Sequence, residues 1–73
     1  MSTENLWLTA LEGALVSLRA IKSLPGTSGG FANGNLLEIK NDLAHTVRRI
    51  NNMALQHGVS PAAVETIQRM NAA

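Results

Sequence analysis

Few side chains in this sequence are suited to acid–base, nucleophilic or metal chemistry. The chain has two histidines, five acidic residues and no cysteine or tyrosine. Asp42 and His45 form one i, i+3 pair, and His57 follows twelve residues after His45, whereas a metal site in a helical bundle needs matching ligands from other helices. The serines have no evident histidine and acid partner in the sequence. We therefore expect no metal site, no cofactor and no enzymatic activity.

The glycine-rich segment LPGTSGGFANGN offers a different chemistry, the binding of an anion. Backbone amides at Thr27, Ser28, Gly29 and Gly30 are free to curl around a phosphate, beside Lys22 and the start of the following helix. The sequence motif of a P-loop is absent. The segment predicts either a flexible connector or a loop that holds a nucleotide-like small ligand between subunits.

The composition predicts an all-α protein that associates with itself. The 73 residues are 45% hydrophobic but only 3% aromatic, and Leu, Ala, Val, Ile and Met are residues of packed helices. A single domain of this size lies near the lower limit for a stable core, and it has no disulfide to compensate. We expect a homodimer or a larger homo-oligomer. No basic segment precedes an apolar run and no apolar stretch approaches roughly 18 residues, so we expect a cytoplasmic protein without a membrane span.

Three helices are expected, at about 3–23, 36–57 and 61–71, and the first two are expected to form an antiparallel hairpin. Ser2 or Thr3 can cap the first helix, and Asn35 with Glu38 fits a capping box for the second. Apolar residues recur at spacings of three and four in each helix. The predicted core positions are Trp7, Leu8, Ala10, Leu11, Ala14, Leu15, Leu18 and Ile21, then Leu36, Ile39, Leu43, Val47, Ile50 and Ala54, then Val64, Ile67 and Met70.

The register of the hairpin follows from the loop between the helices. Folding the second helix back on the first places Trp7 at the Met53 end, Glu12 opposite Arg48, and Lys22 near Glu38. These opposite charges support the register more than the stability, because exposed ion pairs contribute only about 0 to 1 kcal/mol each.

A row of small residues on the first helix predicts an interface. Thr9, Gly13 and Ser17 are spaced at four, away from the leucine face, with Leu6 and Val16 also outside that face. Small residues let another helix approach closely, although a solvent-exposed face with no partner would show the same sequence pattern. Glycine at position 13 lowers the stability of the helix by roughly 1 kcal/mol relative to alanine, so its presence there calls for a structural explanation. Phe31, in the glycine-rich segment, either packs on the end of the hairpin or contacts a partner.

The stretch ALQHGVSPAAVETI joins the second and third helices. Ala54 lets two helices cross, Gly58 suits a turn, and Val64 and Ile67 are spaced as inward anchors. Over residues 53–67, this pattern resembles the helix-turn-helix family of DNA-binding proteins. The resemblance implies that the third helix enters the major groove of DNA.

The candidate nucleic-acid contacts are Arg48, Arg49, Gln68 and Arg69. The outward positions that would touch bases first include two alanines and Glu65, not the usual base readers. The net charge of +1 does not indicate a basic surface for binding the phosphates of nucleic acid. The same residues are also typical of any tight corner between two helices, because Gly is favoured just after the end of a helix and Ser-Pro at the start of the next one.

These patterns favour a small interaction protein, a regulator, inhibitor or adaptor that binds another protein as a homo-oligomer. Such features are typical of phage and bacterial accessory proteins. Two alternatives remain open, a helix-turn-helix transcriptional regulator and an oligomer that sequesters a nucleotide-like ligand.

Overall fold

The computed structural model describes residues 2–25 and 34–72. Three α-helices account for most of them, α1 (Thr3–Lys22), α2 (Gly34–Gln56) and α3 (Pro61–Met70), and the described ranges contain no strand. The expectation of an all-helical protein is confirmed. No helix within these ranges is long and apolar enough to cross a membrane.

The start of α1 is capped as the sequence predicts. The backbone N–H of Asn5 donates to the Ser2 Oγ at 3.1 Å, which satisfies one of the N–H groups that lack a partner in the first turn. At the other end, the Ser23 hydroxyl donates to the carbonyl of Arg19 at 3.0 Å. Local side chains therefore define both ends of this helix.

The start of α2 differs from the expectation. The helix begins at Gly34, so Asn35 lies inside its first turn. An N-cap residue has a non-helical backbone, and the predicted capping box of Asn35 and Glu38 is therefore wrong. The helix begins about two residues nearer the N-terminus than the polar signals indicate.

The corner between α2 and α3 is a Schellman motif. The N–H of Val59 donates to the carbonyl of Ala54 at 3.0 Å, and the N–H of Gly58 donates to the carbonyl of Leu55 at 3.1 Å. Gly58 has φ +85°, a left-handed conformation that glycine adopts without a steric penalty. The prediction that Gly58 ends α2 is confirmed.

The first turn of α3 depends on Pro61 rather than on a side-chain cap. Pro61 occupies the beginning of the helix, and the Ser60 side chain makes no capping hydrogen bond. Proline is favoured there because its φ is preset and the N–H it lacks would have no helical partner. Val59 and Val64 belong to one buried cluster on either side of this turn, as expected for a hydrophobic staple.

The core is small and lies at the α3 end of the molecule. Its buried members are Leu11, Ala54, Val59 and Val64. Half-buried residues pack against this cluster, namely Trp7, Leu8, Leu15, Val47, Ile50 and Ile67. The predicted stripe of α1 is thus largely the buried one, although Ala10 is exposed.

Two other predicted core residues are exposed. Met70 is 67% exposed, because it projects about 120° from Val64 around α3 at 100° per residue. Ile39 is 44% exposed. Lys40 is half-buried instead, along with Leu36 and Leu37, so the buried face of α2 is turned away from Ile39 at this end.

α1 packs along α2, and α3 packs chiefly against α1. A hydrogen bond from the Gln68 Nε2 to the Asn51 Oδ1, at 3.0 Å, also joins α3 to α2. The Trp7 ring stacks on His57, with centroids 5.2 Å apart and planes 20° apart. His57 is about one turn beyond Met53, so at this end the register is shifted by a turn from the expected one. Glu12 and Arg48, both in the described ranges, accordingly form no ion pair.

Candidate functional site

The side of α1 that faces away from α2 and α3 consists of uncharged, mostly small residues. We call it the uncharged face of α1, and its members are Leu6, Thr9, Ala10, Gly13, Val16, Ser17 and Ala20. All seven are exposed, and the exposed fraction is 56% for Leu6 and 50% for Val16. It contains every residue of α1 that the sequence suggested for an interface.

The charges of α1 lie elsewhere on the helix. Taking the buried Leu11 as the reference direction, Glu4, Glu12, Arg19 and Lys22 all project within about 100° of it and on one flank. Thr9 and Gly13 project about 160° from Leu11. More than a third of the helix circumference therefore carries exposed residues without any charge, which is unusual for a solvent face.

Within the described ranges, no contact requires a glycine at position 13. A Cβ placed on it would meet no atom within 4 Å. Its helical backbone would accept alanine, which favours a helix by about 1 kcal/mol over glycine. What an additional Cβ would limit is how closely a second molecule can approach α1.

A second exposed apolar row, on α2, was missed by the sequence analysis. We call Ile39, Thr46 and Met53 the α2 stripe. Ile39 is 44% and Met53 47% exposed, and Thr46 is exposed between them. The signal was present in the regular seven-residue spacing, but Ile39 had been assigned to the core.

The α2 stripe lies on the side of α2 away from α3. Around the helix axis, Asn51 projects about 60° to one side of the buried Ala54, whereas Met53 projects about 100° to the other side. Asn51 accepts the hydrogen bond from Gln68 of α3. No element in the described ranges covers the opposite flank, which holds the stripe.

The candidate nucleic-acid residues do not form one free basic surface. Arg48 and Arg49 are exposed neighbours on α2 and project about 100° apart. On α3, the amide of Gln68 is bonded to Asn51, and Arg69 lies 3.6 Å from the carboxylate of Glu65. The two long polar groups of α3 thus each have an intramolecular partner.

Of the candidate anion-binding residues, the described ranges include only Lys22. The predictions for Thr27, Ser28, Gly29 and Gly30, and for Phe31 as a partner contact, lie outside the described residues. Lys22 lines a cleft of about 160 Å³ between α1 and α3, together with Arg19, Gln68 and Asn71 and with a floor of Leu15 and Leu18. The cleft is small and open, and the Asn71 Nδ2 already donates to the carbonyl of Ile67 at 2.9 Å.

The two histidines lie in different surroundings. No group of three or more His, Asp or Glu side chains in the described ranges could hold a metal ion. His57 stacks on Trp7, and His45 lines a shallow surface depression of α2 with Asn41 and Arg48.

No protein-family model, curated protein or solved structure matches this chain. The candidate sites therefore depend on the geometry of the chain alone.

Proposed function

We propose that the protein is a small non-enzymatic interaction protein, a regulator, inhibitor or adaptor, that acts by protein–protein binding as a homo-oligomer. In this proposal α1 and α2 form an antiparallel hairpin, and the uncharged face of α1 is a contact surface. The stack of Trp7, near the start of α1, on His57, just beyond α2, supports the antiparallel arrangement.

The single observation that carries the proposal is the exposed glycine in the uncharged face of α1. Gly13 lowers the stability of an isolated helix, and open space surrounds it within the chain. Contact with a second molecule explains why a glycine occupies this position, because another helix can approach more closely where the crossing point has no Cβ.

Exposed apolar side chains of the described residues also favour association. Seven large apolar side chains are among the exposed residues, Leu6, Val16, Leu24, Ile39, Met53, Leu55 and Met70. Contact with a partner that covers part of them adds apolar burial to a core with four buried members.

Mass in solution tests the proposal. We expect a multiple of 7.8 kDa by light scattering at micromolar concentration. Val16→Glu places a charge in the uncharged face and should lower that mass. Asn41→Glu adds the same charge on the outer side of α2 and is the matched control. A monomeric wild-type protein would overturn the homo-oligomer.

A further inference from the structure

We infer that the α2 stripe is the seam on which a second copy of this chain docks, antiparallel to the first and related to it by a two-fold axis next to Thr46. The inference rests on the proposed function in that the chain must associate with itself. It adds a contact surface separate from the uncharged face of α1, the orientation of the two copies and the residues that select the partner.

The shape of the stripe fits a helix as its occupant. Ile39, Thr46 and Met53 are seven residues apart, so they drift only about 20° per step around α2 and form a nearly straight row. The row spans about 21 Å at 1.5 Å per residue. A second helix that lies along it covers all three residues at once.

The order of the residues fits a copy of the same helix in the opposite direction. Ile39 lies seven residues before Thr46, and Met53 lies seven after it. A two-fold axis at Thr46 therefore places Ile39 of each copy against Met53 of the other, two large apolar side chains, and places the two small Thr46 side chains at the crossing. An isologous interface requires this kind of self-complementarity.

Charge complementarity supports the same axis. Asp42 lies four residues before Thr46 and Arg49 three after it, so the antiparallel pairing brings Asp42 of each copy to Arg49 of the other. Asp42 and Arg49 are exposed, flank the stripe on the same side, and form no ion pair with each other or with any residue in the described ranges. A parallel pairing would place the Asp42 and Arg49 side chains of the two copies on opposite edges of the contact, where they form no such pair.

Charge reversal tests the seam. Asp42→Arg alone gives two Arg–Arg contacts across the axis, and Arg49→Asp alone gives two Asp–Asp contacts. The dissociation constant of each variant's dimer should be at least about tenfold higher than that of the wild type. A mixture of the two variants should restore a one-to-one heterodimer, because every contact is then between opposite charges. Circular dichroism checks that both variants remain helical.

A cysteine at the axis gives an independent measurement. The chain has no cysteine, so Thr46→Cys should form a disulfide-linked dimer under mild oxidation, since a two-fold axis brings the two Cβ atoms close. His45→Cys, on the outer side of α2, is the matched control and should cross-link much less.

The outcomes separate this inference from the proposed function. Restored association in the mixed charge variants, with selective cross-linking through Thr46→Cys, supports the seam. An oligomer that both charge variants leave intact, or that the mixture does not restore, overturns the seam and leaves the uncharged face of α1 as the interface. A wild-type protein that stays monomeric at about 100 μM, a concentration at which a standard-size specific interface is occupied, overturns both.

Discussion

The N–H of Val59 donates to the carbonyl of Ala54 at 3.0 Å, and both residues are buried, with 3% and 0% of their surfaces exposed. One hydrogen bond thus closes the end of α2 and brings Val59 into the cluster that contains Val64. The direction of α3 depends on this closure, because α3 begins two residues after Val59.

Gly58→Ala should destabilise the fold by about 1–2 kcal/mol. A Cβ at this position would meet no atom within 4 Å, so the cost comes from the backbone at φ +85° alone. Urea unfolding measures the change. Gly58→Asn is the matched variant and should cost less, because Asn tolerates the left-handed conformation better. Equal stability of Gly58→Ala and wild type would contradict the Schellman corner.

Leu11→Ala should destabilise the protein by about 2–5 kcal/mol, which is enough to unfold a domain of marginal stability. Leu11 has no exposed surface and lies in the central cluster. Met70→Ala, at a side chain that is 67% exposed, should change the stability by less than about 0.5 kcal/mol. Thermal unfolding of the two variants compares them directly, and similar losses would place the core elsewhere.

Gly13→Ala should affect helicity and association in opposite directions. The free energy of forming α1 should become more favourable by about 1 kcal/mol, because alanine is the better helix former and no atom in the described ranges opposes its Cβ. The mass in solution should fall at a given concentration, because the added methyl group keeps a second copy further from α1. An unchanged or increased mass would exclude Gly13 from the interface.

His57→Ala should change the fluorescence of Trp7, the only tryptophan. Loss of the stack at 5.2 Å exposes one face of the indole to water and should shift its emission to longer wavelength. The expected loss of stability is about 0.5–1.5 kcal/mol, the range found for aromatic pairs. His45→Ala, a surface histidine far along α2, controls for a general effect of removing an imidazole.

Duplex DNA should not be retarded by the protein at physiological salt. Gln68 and Arg69 are engaged within the chain, and the net charge is only +1, so few side chains can displace counterions from phosphates. A gel-shift assay over a range of salt concentrations measures this. Salt-sensitive binding that Arg48→Glu or Arg69→Glu abolishes would favour the helix-turn-helix alternative.

Local signals in the sequence predicted the helix ends where one residue type has a strong backbone preference. Gly58 and Pro61 are placed as expected, because few other residues suit a left-handed C′ position or a first helical turn without an N–H. Asn35 misled the prediction, since asparagine is also tolerated inside a first turn. α2 begins at Gly34, before Asn35.

Periodicity predicted which face of each helix is apolar but not which apolar residues are covered. Met70 and Ile39 fit spacings of three and four, yet both are exposed, because the depth of burial depends on where the neighbouring helix passes. That position follows from the corner at Gly58 and the stack of Trp7 on His57, contacts between distant parts of the chain. The α2 stripe was overlooked for the same reason.

The four buried residues of the core all lie toward the corner between α2 and α3, so resistance to local opening should vary along the molecule. Amide hydrogens near Leu11 and Ala54 should exchange with deuterium only when the whole domain unfolds, whereas those near Ile21 and Leu37 should exchange through smaller openings. A binding partner that clamps the less protected end would then be detected as slower deuterium uptake there, without any change in average structure.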